Sequence, residues 1–387
     1  MPMLEPASIE ELSAILRDAS GARRTLIPVG GRTGVYPTPS AAGASMISTR
    51  ALPSTVDHVA GDLVATIPAG VALADANAML AREHQCLALD PPFASRATIG
   101  GIVAANESGP RRHRYGSPRD LIIGIGVALA DGRTAKAGGK VVKNVAGYDL
   151  SRLMCGSLGS LSVITSATFK LSPIPARSKT VVAILERRER LGDLLQALVN
   201  APLTPSAIEI VAPPARVLIR FETTDASAAH MAQQASAICV QHGAPAVTLT
   251  GASEDEAWTV AESAVWAEHG TILKIAVLPT DVPYLLDQIE TGCAAHGVAW
   301  RLQGRAALGV LYIRMDGPPE SLESLIADWR HRASVNGGSL VIQAAQPGLE
   351  RVDRWGESPD AFAVMRAVKT RFDPNGILCP GMGPGGL

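Results

Sequence analysis

Glycine clusters are the part of this 387-residue chain whose residue types and spacing best suit ligand chemistry. The first cluster follows a short apolar run and consists of Pro28, Val29, Gly30, Gly31, Arg32, Thr33 and Gly34. Bare backbone N–H groups beside a hydroxyl form a concavity that suits a phosphate or pyrophosphate. For this cluster alone, an ordinary turn remains an open alternative.

Two further clusters lie in the same half of the chain. The second, residues 90–109, places Thr98, Ile99, Gly100 and Gly101 before small residues typical of a short, tightly packed helix. The third is a glycine-spaced turn that enters a strand, Gly156-Ser157-Leu158-Gly159. Neither a Rossmann G-x-G-x-x-G nor a complete P-loop occurs in the chain. These two common nucleotide-binding loops are therefore excluded.

A fourth cluster, residues 372–381, reads FDPNGILCPG near the C-terminus. The first three clusters, with VVKNVAGYDLSRLMCGSLGSLSVIT around the third, resemble the FAD-binding domain of vanillyl-alcohol-oxidase-type flavoproteins. The fourth is similar to the C-terminal signature of FAD-linked oxidases that act on 2-hydroxy acids. Within that family, the chain is similar to the FAD-binding subunits of bacterial glycolate oxidases.

The resemblance implies a set of cofactor-binding residues and non-covalent FAD. Covalent members often attach FAD through a His in the first loop, where this chain has Arg32-Thr33. Family tails commonly read Asn-Pro-Gly where this one has Cys379-Pro380-Gly381, so a thiol near the flavin edge is an open interpretation. The implied FAD-binding residues are Pro28, Val29, Gly30, Gly31, Arg32, Thr33, Gly34, Pro91, Thr98, Ile99, Gly100, Gly101, Ala104, Asn106, Gly109, Tyr115, Gly116, Gly156, Gly159 and Ile164.

Catalytic residues are harder to assign. Oxidising a 2-hydroxy acid through flavin needs a base for the hydroxyl proton and cations for the carboxylate. The metal-using relatives carry paired histidines and a Glu-His, whereas Glu268-His269 here has no partner histidines at ligand spacing. We therefore assign no catalytic residue and no metal ligand. The candidate polar groups are Arg111, Arg112, His113, Arg114 and Arg119 in one loop, and Arg220, Lys274, Arg301 and Arg314 in later strands.

Each of these groups has an ordinary alternative. The basic loop is either a funnel or docking patch for anions or a solvated loop, and the strand cations are either carboxylate ligands or half-exposed sheet residues.

Composition narrows the class of protein. The formal net charge of −1 gives no field that would attract nucleic acid or anionic lipid. The five cysteines form no C-x-x-C, which argues against an iron–sulfur cluster in this chain. The apolar stretch Leu121–Ala130 is too short to span a bilayer, and the N-terminus lacks a signal-peptide core. We expect a cytoplasmic protein, with association to the inner membrane face through partners left open.

The elements that position these motifs predict an α+β fold. Short strands and turns fill residues 1–175, the expected vanillyl-alcohol-oxidase-type FAD-binding domain. Two βαββαβ patterns, each ferredoxin-like, then span residues 176–345 and predict a cap domain with one antiparallel sheet and helices on one face. A helix over Glu254–His269 joins them. Residues 346–387 are expected to return to the FAD-binding domain.

The resemblance implies an FAD-binding subunit of a glycolate oxidase or dehydrogenase complex. Its partners would be a larger catalytic flavoprotein subunit and an iron–sulfur subunit, which receives the electrons. Two alternatives stay open: a self-sufficient FAD-dependent 2-hydroxy-acid dehydrogenase, and a non-catalytic assembly subunit with a vestigial flavin site.

Overall fold

The computed structural model describes residues 2–34, 43–140, 148–266 and 269–387. The chain divides into two compact units, which are described separately. Unit 1 comprises Met1–Gly109, Tyr115–Ile174 and Glu357–Leu387, and unit 2 comprises Pro110–Arg114 and Pro175–Gly356. Pro110–Arg114 belongs to unit 2, although the residues on either side of it belong to unit 1. The sequence gives no indication of this.

The strands and helices follow in chain order. The strands of unit 1 are β1 (Met3–Leu4), β2 (Leu26–Val29), β3 (Ser45–Ser48), β4 (Asp57–Val59), β5 (Val64–Pro68), β6 (Gln85–Cys86), β7 (Ile122–Ala128), β8 (Thr134–Gly138), β9 (Val163–Lys170) and β10 (Ser172–Pro173). The strands of unit 2 are β11 (Arg177–Ile184), β12 (Ala207–Ala212), β13 (Arg216–Thr223), β14 (Ala246–Leu249), β15 (Thr271–Ala276), β16 (Ala299–Arg305), β17 (Val310–Asp316) and β18 (Ser339–Ala344). The helices are α1 (Ile9–Gly21), α2 (Leu73–Leu80), α3 (Ile99–Ala105), α4 (Arg112–Tyr115), α5 (Pro118–Leu121), α6 (Leu150–Met154), α7 (Leu191–Asn200), α8 (Asp225–Gln241), α9 (Ala252–Val265), α10 (Val282–His296), α11 (Pro319–Val335) and α12 (Phe362–Phe372).

Unit 1 is built from short strands joined by tight turns. A parallel sheet has the order β1-β3-β2, and an antiparallel sheet has the order β4-β5-β9-β7-β8. The Asp131-Gly132 pair predicts the β7–β8 hairpin, and Gly132 supplies the positive φ of 80° that this turn requires. The core beneath the larger sheet includes Ile67, Leu80 and Phe169, all fully buried.

Unit 2 contains the two predicted βαββαβ patterns. Their strands join in one antiparallel sheet of order β14-β11-β13-β12-β16-β17-β15-β18, with β12 and β16 pairing at the junction. This confirms the fused sheet. Alternate strand residues such as Ile208, Ile219 and Ile313 face the apolar sides of α7, α8, α10 and α11, which cover one face.

Helix α9 corrects the prediction that all helices cover one face. Trp258 and Ala261 pack with Val211 and Leu218, whose side chains alternate with the residues that face the other helices. The spacing of Trp258, Ala261 and Val265 predicts an apolar helix stripe. That stripe fits either side of the sheet equally well, so the pattern alone does not decide the face. Glu268 lies outside the described residues.

Candidate functional site

The first two glycine clusters pack closely against each other in unit 1. Strand β2 ends at Val29, and a Cβ added to Gly30 would lie 1.9 Å from Thr98 Oγ1. A Cβ on Gly31 would lie 1.8 Å from the carbonyl oxygen of Arg96. The N–H of Gly31 donates to Thr98 Oγ1 at 3.3 Å. Both positions therefore require glycine for space.

Helix α3 carries the rest of the second cluster. The N–H groups of Ile99 and Gly100 donate to the carbonyls of Val71 and Ala69, each at 2.9 Å. These two donors stabilise the fold and are therefore not available to a ligand. The sequence pattern alone suggests the opposite, that they face an anion. Asn106 caps the C-terminal end of this helix, and its φ of 48° lies in the left-handed region.

The third cluster packs against the end of α3. Gly156 N donates to the carbonyl of Val103 at 3.1 Å, and Leu158 N donates to that of Ala104 at 2.8 Å. The backbone of Gly156 and Gly159 has φ of 83° and 75°. Ile164, by contrast, is a buried residue of β9 and packs in the core. Residues 141–147, before this cluster, lie outside the described residues.

The fourth cluster joins the first and third. Leu26 N donates to the carbonyl of Ile377 at 2.7 Å, and Cys379 N donates to that of Leu26 at 3.0 Å. Cys379 Sγ and Pro28 Cγ each lie 3.5 Å from where Gly159 would carry a Cβ. Burial raises the pKa of the Cys379 thiol to about 12, so this thiol is neutral at physiological pH.

The remaining predicted site residues lie where the chain leaves and re-enters unit 1. A Cβ on Gly109 would lie 1.7 Å from the carbonyl of Asp90, the residue before Pro91. Tyr115 and Gly116 begin the next segment, and Gly116 has a φ of 85°. All four clusters therefore meet within unit 1, apart from the buried side chain of Ile164.

The basic loop is partly ion-paired within unit 2. Both Nε and Nη2 of Arg111 donate to the Glu222 carboxylate, the Nε–Oε2 distance being 3.2 Å. Burial by itself raises the pKa of Glu222, but the hydrogen bond and charge of Arg111 and the charge of Arg220 lower it overall. Burial lowers the pKa of His113, which favours its neutral form. Arg111 therefore forms an ion pair within unit 2. Neither a docking patch for anions nor a solvated loop, the two sequence interpretations, includes this pair.

The strand cations also have partners in unit 2. Arg220 Nε donates to Ser178 Oγ at 3.0 Å and lies 3.3 Å from the Glu254 carboxylate. Arg314 Nε lies 3.3 Å from Asp316. Lys274 lies over the ring of Tyr312, 5.7 Å from its centroid. Arg301 donates to the neighbouring carbonyl of Trp300.

Sequence reasoning also missed an ion pair whose two side chains are both buried. Arg305 Nε lies 3.6 Å from Glu209 Oε1, and both side chains are almost fully buried. Glu209 sits in the apolar run IEIVA, and a lone acid in such a run is the available signal for a buried partner. Within the described ranges, no group of three or more His, Cys, Asp or Glu side chains could hold a metal ion.

One buried polar atom among the clusters lacks a partner. Ser157 Oγ, between Gly156 and Leu158, has no hydrogen bond to any part of the chain that the structure describes. A buried hydroxyl in this state costs free energy unless a ligand or water satisfies it. The clusters thus combine glycine-tight backbone with an unsatisfied hydroxyl.

Comparison with known families identifies the group to which this architecture belongs. The family described as "FAD binding domain" matches residues 2–138, and the family described as "FAD linked oxidases, C-terminal domain" matches residues 193–382. The two matches follow each other along the chain. The chain belongs to the FAD-linked oxidases. Its cofactor is FAD, as the sequence predicts.

Individual relatives agree with this assignment. The chain is 29% identical to glycolate oxidase subunit GlcD of Bacillus subtilis, over 98% of this chain and 88% of that protein. It is 28% identical to a D-lactate dehydrogenase of Anaerostipes hadrus, over 98% and 88%. It is 38% identical to glycolate oxidase subunit GlcE of Escherichia coli, over 36% of this chain and 41% of that protein.

Solved structures confirm the fold. Alkyldihydroxyacetonephosphate synthase superposes with a TM-score of 0.74 at 17% identity, over 97% of this chain and 76% of that one. The vanillyl-alcohol-oxidase-type α+β fold is therefore shown.

The clusters of this FAD-linked oxidase suit the chemistry of its cofactor. FAD contains a pyrophosphate, which accepts hydrogen bonds from backbone N–H and hydroxyl groups. The atoms that exclude a side chain at Gly30 and Gly31 belong to Thr98 and Arg96, so the group that still needs a partner here is Ser157 Oγ. The part of the chain that the structure describes holds no helix long and apolar enough to cross a membrane.

Proposed function

We propose that the chain is the FAD-binding subunit of a complex that oxidises glycolate, or a related 2-hydroxy acid, with electrons passed to a partner iron–sulfur subunit. The observation that carries the proposal is the meeting of all four glycine clusters in unit 1. Similarity to glycolate oxidase subunits GlcD and GlcE supports the substrate class and the multi-subunit setting.

The proposed FAD site uses the clusters in sequence order. Residues 28–34 hold the pyrophosphate. Pro91, Thr98, Ile99, Gly100, Gly101, Ala104, Asn106 and Gly109 line the pyrophosphate, ribityl chain and flavin ring. Gly156, Gly159 and Ile164 hold the adenosine end, Ile164 through its backbone because its side chain is in the core. Tyr115 and Gly116 lie near the ring, and Ser157 adds a hydroxyl donor. Attachment is non-covalent.

Oxidation of glycolate to glyoxylate removes two electrons and two protons. When bound, FAD supplies the two-electron acceptor for a hydride from the hydroxyl-bearing carbon. The protein must hold the carboxylate with cations and take the hydroxyl proton. His113 has the neutral form that a base needs, because burial lowers its pKa. We leave the base unassigned.

The partners of the proposed complex are a larger catalytic flavoprotein subunit and an iron–sulfur subunit. Turnover requires an acceptor for the electrons of the reduced flavin, and we place an iron–sulfur acceptor on a partner because none of the five cysteines forms a C-x-x-C motif. The near-neutral charge supports no role with nucleic acid. We propose a cytoplasmic location, with any contact to the inner membrane face made through the partners.

Co-purification with both partner subunits tests this function. We expect a yellow complex, with one FAD on this chain, that reduces an electron acceptor with glycolate. Gly31→Ala in this chain should lower both its FAD content and the glycolate activity, whereas the exposed control Gly61→Ala should change neither. A chain that binds neither FAD nor any partner would overturn the proposal.

A second candidate is a self-sufficient 2-hydroxy-acid dehydrogenase. The similarity to D-lactate dehydrogenase over nearly the whole of both chains favours it. Anaerobic mixing of the isolated, FAD-loaded chain with D-lactate or glycolate separates the two candidates. Bleaching of the flavin band without partners supports this second function, and no bleaching with any 2-hydroxy acid argues against it.

A further inference from the structure

A largely buried lysine connects the third and fourth glycine clusters. Lys369 lies in the last turn of α12, and its ammonium group donates three hydrogen bonds. The acceptors are the Ser160 carbonyl at 2.8 Å, the Leu378 carbonyl at 2.7 Å and Asp373 Oδ2 at 2.6 Å. An ammonium has three N–H donors, so these contacts use all of them.

The carboxylate of Asp373 holds the other side of this arrangement. Its side chain is fully buried, and it accepts hydrogen bonds from Ile377 N at 3.0 Å and from Leu378 N at 2.8 Å. The tail that it shapes then pairs with Leu26 of β2, directly before the first cluster. The Lys369–Asp373 pair thereby connects the tail to the segment that contains Ser160.

The contact at Ser160 continues into the proposed cofactor loop. Ser160 follows Gly159 directly, and its hydroxyl donates to the Ser157 carbonyl at 2.7 Å. Ser157 in turn has the buried Oγ without a partner in the described chain. A path of hydrogen-bonding groups therefore runs from Lys369 through Ser160 to Ser157, the residue whose Oγ lacks a partner in the described chain.

We propose that Lys369, paired with Asp373, is a positioning residue for FAD: it acts through Ser160 to hold the loop 156–160 in its binding conformation. The inference rests on the proposed FAD site. A neutral side chain at 369 leaves the two carbonyls without a donor and Asp373 without its cation. The loop then loses its fixed position, while α12 retains its backbone hydrogen bonds.

The test measures FAD affinity of the apoprotein by titration, following quenching of flavin fluorescence. Hydrogen bonds to charged groups contribute about 1.5–3 kcal/mol, so Lys369→Met should raise the Kd for FAD roughly 10- to 100-fold. Arg371→Met is the matched control, since it removes an exposed cation from the same helical turn. It should leave the Kd within about twofold of the parent value.

A coupling measurement separates positioning from a general loss of stability. Ser157→Ala alone should weaken FAD binding. If Lys369 acts through the loop, the double variant Lys369→Met/Ser157→Ala should bind FAD only slightly more weakly than Lys369→Met alone. Additive effects, or a Kd for Lys369→Met equal to that of the parent, overturn the proposal.

A second variant covers the case in which Lys369→Met fails to fold, because an unpaired buried Asp373 is costly. Lys369→Met/Asp373→Asn removes both charges together and should fold, as judged by far-ultraviolet circular dichroism, with the same weakened FAD binding. Parent-like affinity in this variant also overturns the proposal. If the parent protein itself binds no FAD, the proposed function fails, and that result is distinct from either outcome here.

Discussion

The two units of this chain both have apolar cores, but they differ in the contacts that join their segments outside those cores. Unit 1 brings its glycine clusters together where an added Cβ has no space, as at Gly31 and Gly109. Unit 2 is stabilised by side chains, with an apolar core against one face of its sheet and buried ion pairs such as Arg305–Glu209 among its strands. Close contacts of glycine with neighbouring chain atoms thus join the clusters of unit 1, and a buried pair of charges joins strands β12 and β16 of unit 2.

The comparison has a practical consequence for measurement. All five tryptophans, at positions 258, 266, 300, 329 and 355, belong to unit 2. Tryptophan fluorescence therefore reports the unfolding of unit 2, and flavin binding reports the integrity of unit 1. Damage to each unit can be read separately in one protein.

The largest effect is expected from adding one methyl group in unit 1. In Gly31→Ala the new Cβ overlaps the Arg96 carbonyl, so the first cluster must move away from the second. We expect the Kd for FAD to rise about 100-fold or more, with the tryptophan-detected unfolding of unit 2 unchanged. Gly61→Ala, which meets no atom within 4 Å, is the control. Normal FAD binding by Gly31→Ala would contradict the glycine argument.

A side-chain deletion in unit 2 should have the next largest effect. Glu209→Leu removes the buried carboxylate that lies 3.6 Å from Arg305 Nε, which should lower the free energy of unfolding by about 3–5 kcal/mol. Urea unfolding followed by tryptophan fluorescence measures the change. The double variant Glu209→Leu/Arg305→Met should recover most of the loss. If the double variant is as unstable as the single one, the ion pair is not the cause.

The Arg111–Glu222 pair should make unit 2 sensitive to acid. The pKa of Glu222 is lower in the folded protein than its ordinary value, so its contribution to stability is present above that value and is lost as the pH falls through the lowered one. At pH 7, Glu222→Gln should cost about 1.5–3 kcal/mol. The cost should shrink on acidification below about pH 4.5. A cost that does not change with pH would count against this ion pair.

The smallest effect concerns the cysteines, four of which are buried in the two units. Burial raises the pKa of Cys155, Cys293 and Cys379 to about 12 and that of Cys239 to about 11. Only Cys86 among the five is partly exposed. We expect one thiol to react rapidly with Ellman's reagent at pH 8 in the folded protein, and none in Cys86→Ser. Two or more rapidly reacting thiols would indicate that one unit is open.

How much the sequence predicts also differs between the units. The strands and helices of unit 2 follow from local periodicity, because each is long enough to show its apolar pattern. The face on which α9 packs does not follow, since the stripe of Trp258, Ala261 and Val265 is the same for either face. In unit 1, the glycine spacing and the family resemblance predict that the first three clusters belong to one FAD-binding domain.

The long-range contacts within each unit cannot be predicted from local patterns. Arg111 and Glu222 are 111 residues apart, and Lys369 and Ser160 are 209 apart. In the sequence, Lys369 is only a basic residue near the end of a helix, where cations are common. The N–H groups of Ile99 and Gly100 look available to an anion until the structure shows their bonds to Val71 and Ala69.

Acid precipitation of the purified chain, followed by quantification of FAD in the supernatant and pellet, tests the central claim most directly. The account predicts a yellow protein that carries one FAD per chain, all of it released into the supernatant, and a Gly31→Ala variant that carries almost none. A colourless protein that takes up no added FAD would contradict the account. Flavin that stays with the pellet would contradict non-covalent binding.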